Sequence, residues 1–189
     1  MVEKIKARIM DATRIRRVLA RLATEIVEAN RNLKNLVIVS VKPRGLAIAK
    51  RVAHQIKGLE GVKVPVGTLD YSRYRDDAPS TRSKAASGKA GLGFPVVKKD
   101  VLLVDDVLMT GRTIRAAMDA LIDRGRPKSI QLAVLIDRGH RELPIRPDYV
   151  GKVLPTSRRE TVRVRLKETD GSEEVLIAEP VRTAGTRKR

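Results

Sequence analysis

The chain contains several short apolar runs that are separated by amphipathic segments. The runs at 36–41, 101–104 and 129–136 are rich in Val, Ile and Leu and are too short for helices. They therefore predict strands that are buried on both faces, as in a parallel sheet. Weaker patterns predict a strand of alternating polar and apolar residues at 3–10 and another strand at about 64–71.

The segments between these strands predict helices. Asp11 or Thr13 can cap the first helix. Its inward stripe consists of apolar residues at helical spacing: Ile15, Val18, Leu19, Leu22, Ile26 and Val27. Further helices are predicted from Leu46 to about Lys57 and over 112–124. Strands that alternate with helices predict an α/β fold with a mostly parallel central sheet flanked by helices.

The chain has 189 residues, enough for one domain with a substantial core, and we expect that domain to span 1–179. A basic tail follows at 180–189. The stretch at about 76–95 is rich in Ser, Lys, Ala and Gly and lacks periodicity, which predicts a mobile active-site loop; a flexible excursion without a catalytic part is the alternative. Residues 142–160 hold three prolines and predict little regular structure, while 161–167 and 175–178 predict a closing hairpin.

Composition narrows the class of protein. Cysteine is absent, which excludes disulfides, thiolate metal sites and a thiol nucleophile. No apolar stretch approaches the length of a membrane span, and the basic N-terminus lacks the apolar segment of a secretion signal. We therefore expect a cytoplasmic protein with no membrane partner. The only histidines are His54 and His140, and no carboxylates can be placed beside them, so we predict no protein-built metal site.

The charge balance suggests a polyanionic partner. The chain has 40 Lys and Arg against 22 Asp and Glu, a formal net charge of +18. A field of this size attracts polyanions over a long range. A solvated surface is the plainer explanation, but one small phosphorylated ligand does not need so much charge. Nucleic acid explains it better.

The most informative stretch is 101–113, in which an apolar strand leads through a short turn into a helix. Asp105 and Asp106 close the strand, and Thr110-Gly111-Arg112-Thr113 forms the turn. Gly111 allows the backbone to approach a ligand, and the free N–H groups of the new helix favour a phosphate. Two carboxylates at a bending strand end can both reach a diol. A phosphate beside vicinal hydroxyls describes a ribose 5-phosphate.

The alternative without a ligand is an ordinary strand-to-helix turn that is capped by Thr, with both carboxylates exposed to solvent. The acidic pair directly before Thr-Gly-Arg-Thr favours the ligand site. The stretch is neither a nucleotide P-loop nor a dinucleotide fingerprint, and no nucleophile elbow is present. Lys42-Pro43-Arg44-Gly45 places two cations and a glycine after another buried strand, which suits a second anion such as pyrophosphate.

These motifs resemble those of a known family. Residues 103–113 resemble the phosphoribosyl pyrophosphate (PRPP) loop of the type I phosphoribosyltransferases. The more specific run Asp-Arg-Gly-His-Arg-Glu-Leu-Pro-Ile-Arg at 137–146, with Pro155-Thr156-Ser157, resembles a subfamily. Its members are regulators of pyrimidine operon attenuation that are also uracil phosphoribosyltransferases. The resemblance covers about residues 5–178, and it implies the type I phosphoribosyltransferase fold with a small hood at about 140–160.

The resemblance also implies a role for individual residues. Catalysis would fall to Asp105, Asp106 and Arg75. PRPP would be bound by Asp105, Asp106, Thr110, Gly111, Arg112 and Thr113, with Lys42, Arg44 and Gly45 on its pyrophosphate. Tyr149, Val150 and Lys152 would bind the base, and Tyr74 and Arg75 would lie at the base of the loop that covers the site. RNA would be contacted by Arg14, Arg17, Arg21, Arg141, Arg146 and Lys152.

The implied function is double. The protein would bind leader mRNA of a pyrimidine operon in response to UMP or UTP and stop transcription, and it would convert uracil and PRPP to UMP and pyrophosphate with Mg²⁺. The family implies a homodimer or a larger assembly. Met109 stands where purine-salvage relatives carry Asp, which disfavours a purine substrate. Ala20 and Thr24 stand where many relatives have Thr and His, so a salvage enzyme without specific RNA regulation is the alternative.

Overall fold

The protein is described by a computed structural model, which covers residues 3–76 and 92–180. Most of the predicted loop at 76–95 and of the basic tail at 180–189 lies outside the described residues, as do the side chains of Lys42 and Pro43. The elements within the described residues, in chain order, are β1 (Glu3–Asp11), α1 (Ala12–Ala29), β2 (Leu36–Val41), α2 (Lys42–Glu60), β3 (Val66–Leu69), β4 (Asp100–Leu108), α3 (Arg112–Ile122), β5 (Ser129–Asp137), β6 (Tyr149–Val153), β7 (Thr161–Arg165), α4 (Lys167–Asp170) and β8 (Glu174–Pro180).

The central sheet has five strands in the order β3-β2-β4-β5-β6. All four neighbouring pairs are parallel, so the carboxyl ends of the strands meet at one edge. Strand β3 lies on one side of β2, whereas β4 and the strands that follow lie on the other side, so the order of the strands changes direction at β2. In open α/β sheets, ligands bind at such a switch point, outside the carboxyl ends of the strands.

Two apolar cores cover the faces of this sheet. Alternate residues of β4 belong to different cores because successive side chains of a strand point to opposite faces. Leu102 and Val104 pack with α1 and α2, whereas Val101 and Leu103 pack with α3. The helices therefore hold the strand on both sides and leave only its carboxyl end open to a ligand. The α/β prediction with a mostly parallel, helix-flanked sheet is confirmed.

A second sheet pairs the first strand of the described chain with the last. It is antiparallel in the order β1-β8-β7, so the predicted closing hairpin forms, and β1 pairs along its outer side. The turn between β7 and β8 contains the short helix α4, which ends at Gly171 with φ of +70°. Asp11 at the end of β1 caps α1, since its Oδ1 accepts the N–H of Arg14 at 2.7 Å. No helix in the described ranges has the length and apolarity needed to cross a bilayer.

Two predicted boundaries were wrong, and one strand was missed. Helix α2 begins at Lys42 rather than Leu46, because Pro43 stands in its first turn, where a missing N–H breaks no helical bond. Strand β4 continues through the acidic pair to Leu108. Strand β6 was not predicted at all: its five residues follow a proline-rich stretch and pair with β5, a partner that the local pattern does not reveal.

Candidate active site

A pocket of about 300 Å³ opens at the carboxyl edge of the central sheet. Its lining comes from the ends of β2 and β4, from the segment after β3, and from the first turns of α2 and α3. The lining residues are Val41, Arg44, Tyr71, Arg75, Asp105, Asp106, Val107 and Thr113. Five of these, Arg44, Arg75, Asp105, Asp106 and Thr113, are predicted site residues. The fold thus brings together residues that lie up to 72 positions apart, Val41 and Thr113.

The acidic pair lies on β4 at the floor of this pocket. Asp105 is only 7% exposed, and its Oδ1 accepts the N–H of Asp106 at 3.0 Å. Asp106 in turn accepts the N–H of Val107 at 2.9 Å. The β4–β5 ladder stays in register past the acidic pair, with Asp105 opposite Val134 and Val107 opposite Ile136. Both carboxylates of the pair line the same pocket.

The turn after β4 is shaped by Gly111. This residue is the N-cap of α3 and has φ of +91°, a conformation that favours glycine. It offers no side chain to the first amides of the helix, and Thr110 Oγ1 accepts only the N–H of Arg112, at 3.3 Å. The remaining N–H groups of the first turn have no helical carbonyl to bind, and the positive end of the helix favours an anion there.

The Asp-Arg-Gly-His-Arg segment folds over this turn. The main-chain carbonyl of Thr110 accepts the N–H groups of Glu142 and Leu143, at 3.0 and 3.2 Å. Arg141 donates to the carbonyl of Met109 at 2.9 Å and to Asp137 at 2.5 Å. The side chain of Arg141, a predicted RNA contact, is therefore engaged within the protein, where it ties the hood to the turn after β4.

Arg112 does not line the pocket but joins two segments that border it. Its Nη1 donates to Asp76 at 2.7 Å and its Nε donates to Glu142 at 2.7 Å. Hydrogen bonds to these two carboxylates raise the pKa of the guanidinium above its usual value, and the bond to Glu142 has the larger effect. The hydrogen bond from Arg112 in turn lowers the pKa of Asp76. Asp76 and Glu142 lie in stretches that carry the resemblance, but sequence analysis gave them no role, because each acquires its partner only in the folded chain.

The predicted pyrophosphate residues lie in the first turn of α2. Arg44 lines the pocket and forms a bidentate pair with Asp170 of α4, at 2.8 Å from Nη2 and 3.3 Å from Nε. Gly45 packs directly on β4: a Cβ at this position would lie 2.7 Å from the carbonyl oxygen of Val104. Gly45 thus has a packing reason to be glycine, independent of any ligand.

Tyr74 and Arg75 follow the third strand, beside the start of the predicted loop. The Tyr74 hydroxyl donates to Asp123 at 2.5 Å, a hydrogen bond that raises its pKa. Its carbonyl accepts from Arg115 at 2.8 Å, so the segment is fastened to α3. Arg75 lines the pocket itself.

The predicted base-binding residues lie on β6, which is an edge strand. Tyr149 is 6% exposed and belongs to the core beneath the sheet, where its hydroxyl accepts a hydrogen bond from Asn30 at 3.2 Å. Val150 packs in the core on the opposite face. Lys152 is half-buried and pairs in register with Ile136, near the carboxyl ends of β5 and β6. Only Lys152 of the three thus lies near the edge where the pocket opens.

The predicted RNA-binding arginines of α1 share one helical face. Arg14, Arg17 and Arg21 are exposed, and their spacing of three and four residues stacks them along the helix. Arg21 also bonds to the main chain of β6, since its Nη2 donates to the carbonyls of Val150 and Gly151 at 3.0 and 2.7 Å. Arg146 is exposed in the hood.

The described residues hold no group of three or more His, Asp or Glu side chains that could form a metal cage. Asp105 and Asp106 supply carboxylate oxygens, the ligands that Mg²⁺ prefers, on the floor of the pocket. These residues fit a cation that is held mainly by a phosphorylated ligand.

Residues 7–169 match the family described as the phosphoribosyl transferase domain, and the chain belongs to this family. Within it, the chain is 56% identical over 176 residues to the bifunctional protein PyrR of Thermoanaerobacter sp. (strain X514), which covers 93% of this chain and 99% of that protein. It is 53% identical over 179 residues to the bifunctional protein PyrR of Clostridioides difficile (strain 630), covering 95% and 100%.

Solved structures confirm the fold. The hypoxanthine phosphoribosyltransferase of Trypanosoma cruzi superimposes with a TM-score of 0.70 at 20% identity, covering 94% of this chain and 98% of that one. The hypoxanthine phosphoribosyltransferase of Staphylococcus aureus gives 0.67 at 19% identity, covering 93% and 94%. The prediction of a type I phosphoribosyltransferase fold is therefore confirmed.

Proposed function

We propose that the protein is an RNA-binding regulator of pyrimidine operon transcription that responds to UMP and that also converts uracil and PRPP to UMP and pyrophosphate. The enzymatic half is carried by one observation: Asp105, Asp106, Thr113 and Arg44 line a single pocket at the carboxyl edge of the sheet. The double function is supported by relatives named bifunctional protein PyrR, which are more than 50% identical over nearly the whole chain.

In the proposed reaction, each part of PRPP meets a different part of the pocket. The 5-phosphate is bound by the N-terminal amides of α3 and by the turn of Thr110, Gly111, Arg112 and Thr113. The acidic pair accepts hydrogen bonds from the ribose hydroxyls. The pyrophosphate lies toward Arg44, Gly45 and Lys42 at the start of α2, with Arg75 across the pocket.

Catalysis then depends on position and charge. The bond from the ribose C1 to pyrophosphate breaks, N1 of uracil bonds to that carbon, and the N1 proton passes to solvent. The buried carboxylate of Asp105 and its neighbour Asp106 stabilise the positive charge that develops on the sugar, while arginines stabilise the leaving anion. Mg²⁺ bound with the pyrophosphate would neutralise part of its charge, and Asp105 and Asp106 would be the carboxylates available in the pocket to hold it.

We place the base beside the carboxyl end of β6, where Lys152 is the polar candidate. Tyr149 and Val150 support this segment through their packing in the two cores. Residues 1–179 act in this proposal as one phosphoribosyltransferase domain, with residues 140–160 as its hood and Tyr74 and Arg75 at the base of the loop over the site.

The RNA surface is assigned to Arg14, Arg17 and Arg21 on α1. Arg146 in the hood and Lys152 on β6 are the further candidates. Exposed arginines on one helical face suit the phosphates of an RNA strand, and the net charge of +18 adds long-range attraction. Arg141 contributes indirectly, since its guanidinium holds the hood. The proposed partners also include UTP and a second copy of the chain, and the proposed location is the cytoplasm.

An alternative is a uracil salvage enzyme that does not regulate transcription. It is favoured by the observation that Arg21 and Arg141, two of the six RNA candidates, are already bonded within the protein. In that case the basic surface would bind any polyanion through its charge alone.

The discriminating experiment measures binding to the leader RNA of the pyrimidine operon and to a scrambled RNA, across a salt series, with and without UMP. Regulation predicts a preference for the leader that grows with UMP, because a ligand shifts an equilibrium only by binding one state better. Equal, salt-sensitive binding to both RNAs that ignores UMP would leave the salvage enzyme. A parallel assay of uracil against hypoxanthine as the acceptor for PRPP tests the enzymatic half, and turnover of hypoxanthine alone would overturn it.

A further inference from the structure

The turn between β7 and β8 docks on α2 through two separate arginine–carboxylate pairs. Arg44 and Arg51 are seven residues, or about two helical turns, apart on α2, so they face the same side. Arg44 pairs with Asp170. Arg51 pairs with Glu168 at 2.7 Å and also with Glu173. The turn is thus fixed at two points along the helix, and only the first point involves a residue that lines the pocket.

Asp170 is held in place by its own turn before it meets Arg44. Its Oδ2 accepts the N–H of Leu166 at 3.0 Å and the hydroxyl of Thr169 at 2.7 Å. Leu166 is fully buried, which anchors the turn in the core. The Asp170 side chain is 17% exposed, whereas that of Arg44 is 48% exposed. The carboxylate is therefore the fixed partner and the guanidinium is the part that is being oriented.

The geometry of the pair leaves a defined part of Arg44 for a ligand. Asp170 accepts from Nε and from Nη2, which form one edge of the planar guanidinium. Arginine has five N–H donors in a rigid fork, so the Nη1 edge is not used by this pair. A long arginine side chain without a partner loses rotamer entropy when it binds an anion, and fixing it beforehand removes that loss.

We propose that Asp170 is a positioning residue that fixes Arg44 so that its unused edge faces the pyrophosphate of PRPP. This inference rests on the proposed function, because it assigns the pyrophosphate to the side of the pocket that Arg44 lines. Asp170 itself does not line the pocket and touches no reacting atom. A residue 126 positions from Arg44 along the chain would thus determine how well the enzyme binds one of its substrates.

The structure supplies a matched control in the same turn. Glu168 is two residues from Asp170 and makes the same kind of bidentate pair with the same helix, at 2.8 and 2.7 Å, but with Arg51 instead of Arg44. Glu168→Gln removes one charge and weakens the docking of the turn without touching a pocket residue. Any effect that comes only from looser docking should therefore appear equally in both variants.

The test compares Asp170→Asn, Asp170→Glu and Glu168→Gln with the unaltered protein in uracil phosphoribosyltransferase kinetics. For Asp170→Asn we expect KM for PRPP to rise on the order of tenfold, because a charge-assisted bidentate pair is lost, while KM for uracil and kcat change little. Asp170→Glu keeps the carboxylate and should recover part of the affinity. Glu168→Gln should leave KM for PRPP unchanged.

Binding of inorganic pyrophosphate with Mg²⁺, measured by calorimetry, gives a readout that does not require turnover. Equal pyrophosphate affinity in Asp170→Asn and Glu168→Gln would overturn the inference. A lower unfolding temperature of Asp170→Asn with no change in its pyrophosphate affinity or its KM for PRPP would also overturn it. If the unaltered protein binds pyrophosphate but does not convert uracil and PRPP, the proposed function fails, and the same calorimetric comparison still decides the role of Asp170.

Discussion

The contact between Gly45 and β4 can be tested by replacing the glycine with alanine. Gly45 lies in the first turn of α2, and a Cβ there would lie 2.7 Å from the carbonyl oxygen of Val104. Real Cβ atoms essentially never approach backbone so closely, and ordinary contact begins at 3.4 Å. The start of the helix must therefore retreat by about 0.7 Å from the strand that carries the acidic pair.

The magnitude follows from two opposing effects. Overpacking of this kind costs about 1–3 kcal/mol, while alanine gains about 0.5–1 kcal/mol over glycine through its helix propensity. The net change is a destabilisation of up to about 2.5 kcal/mol. For a chain of this size, 1 kcal/mol corresponds to about 2–4 °C in unfolding temperature. We therefore expect Gly45→Ala to unfold several degrees below the unaltered protein.

Gly58→Ala is the matched control because Gly58 lies in the same helix, and a Cβ added there would meet nothing within 4 Å. It should gain about 0.5–1 kcal/mol and unfold slightly later. Thermal unfolding by circular dichroism measures both. Because Arg44 moves with the first turn, Gly45→Ala should also raise KM for PRPP, which Gly58→Ala should not. An unfolding temperature for Gly45→Ala at or above that of Gly58→Ala would refute the packing argument.

Three further predictions follow from the site and its surroundings. Asp106→Asn should lower kcat/KM by about 100-fold without lowering the unfolding temperature, because it removes a negative charge that stabilises the transition state. An Asp106→Asn variant that keeps the kcat/KM of the unaltered protein would exclude Asp106 from the mechanism. Arg21→Met should unfold a few degrees lower than Arg17→Met, because Arg21 bonds to carbonyls of β6, and equal melting of the two would contradict this. The hydrogen bond from Arg44 holds the pKa of Asp170 well below its ordinary value of 3.8. The stabilisation that this pair gives the folded protein should therefore be constant from about pH 7 to about 5 and decline as pH falls below 3.8. A stability difference between the unaltered protein and Asp170→Asn that fades above about pH 5 would exclude this contribution of the pair.

Much of the fold was predictable because it depends on short-range patterns. Continuous apolar runs identified β2, β4 and β5, since a strand buried on both faces needs apolar side chains at every position. The acidic pair and Thr110-Gly111 could be assigned to one ligand because strand, turn and helix follow one another directly in the chain. Here neighbouring positions in the sequence are also neighbours in space.

Other features depend on contacts between distant segments. Strand β6 exists because β5 offers it a ladder, and α2 could begin at Lys42 because a proline suits a first helical turn when the rest of the helix packs on the sheet. Tyr149 was assigned to the base from its segment, yet its side chain packs beneath the sheet. Which face a residue occupies depends on strand register, and register is set by pairing.

The chain by itself thus determined the type of fold and the motif that we propose for binding the phosphorylated sugar, because both lie in contiguous residues. The tertiary structure decided which charges meet. Asp170 reaches Arg44 across 126 positions, and Glu142 reaches Arg112 across 30. No local pattern distinguishes these carboxylates from others on the surface. They acquire these partners only when the folded chain brings distant segments together.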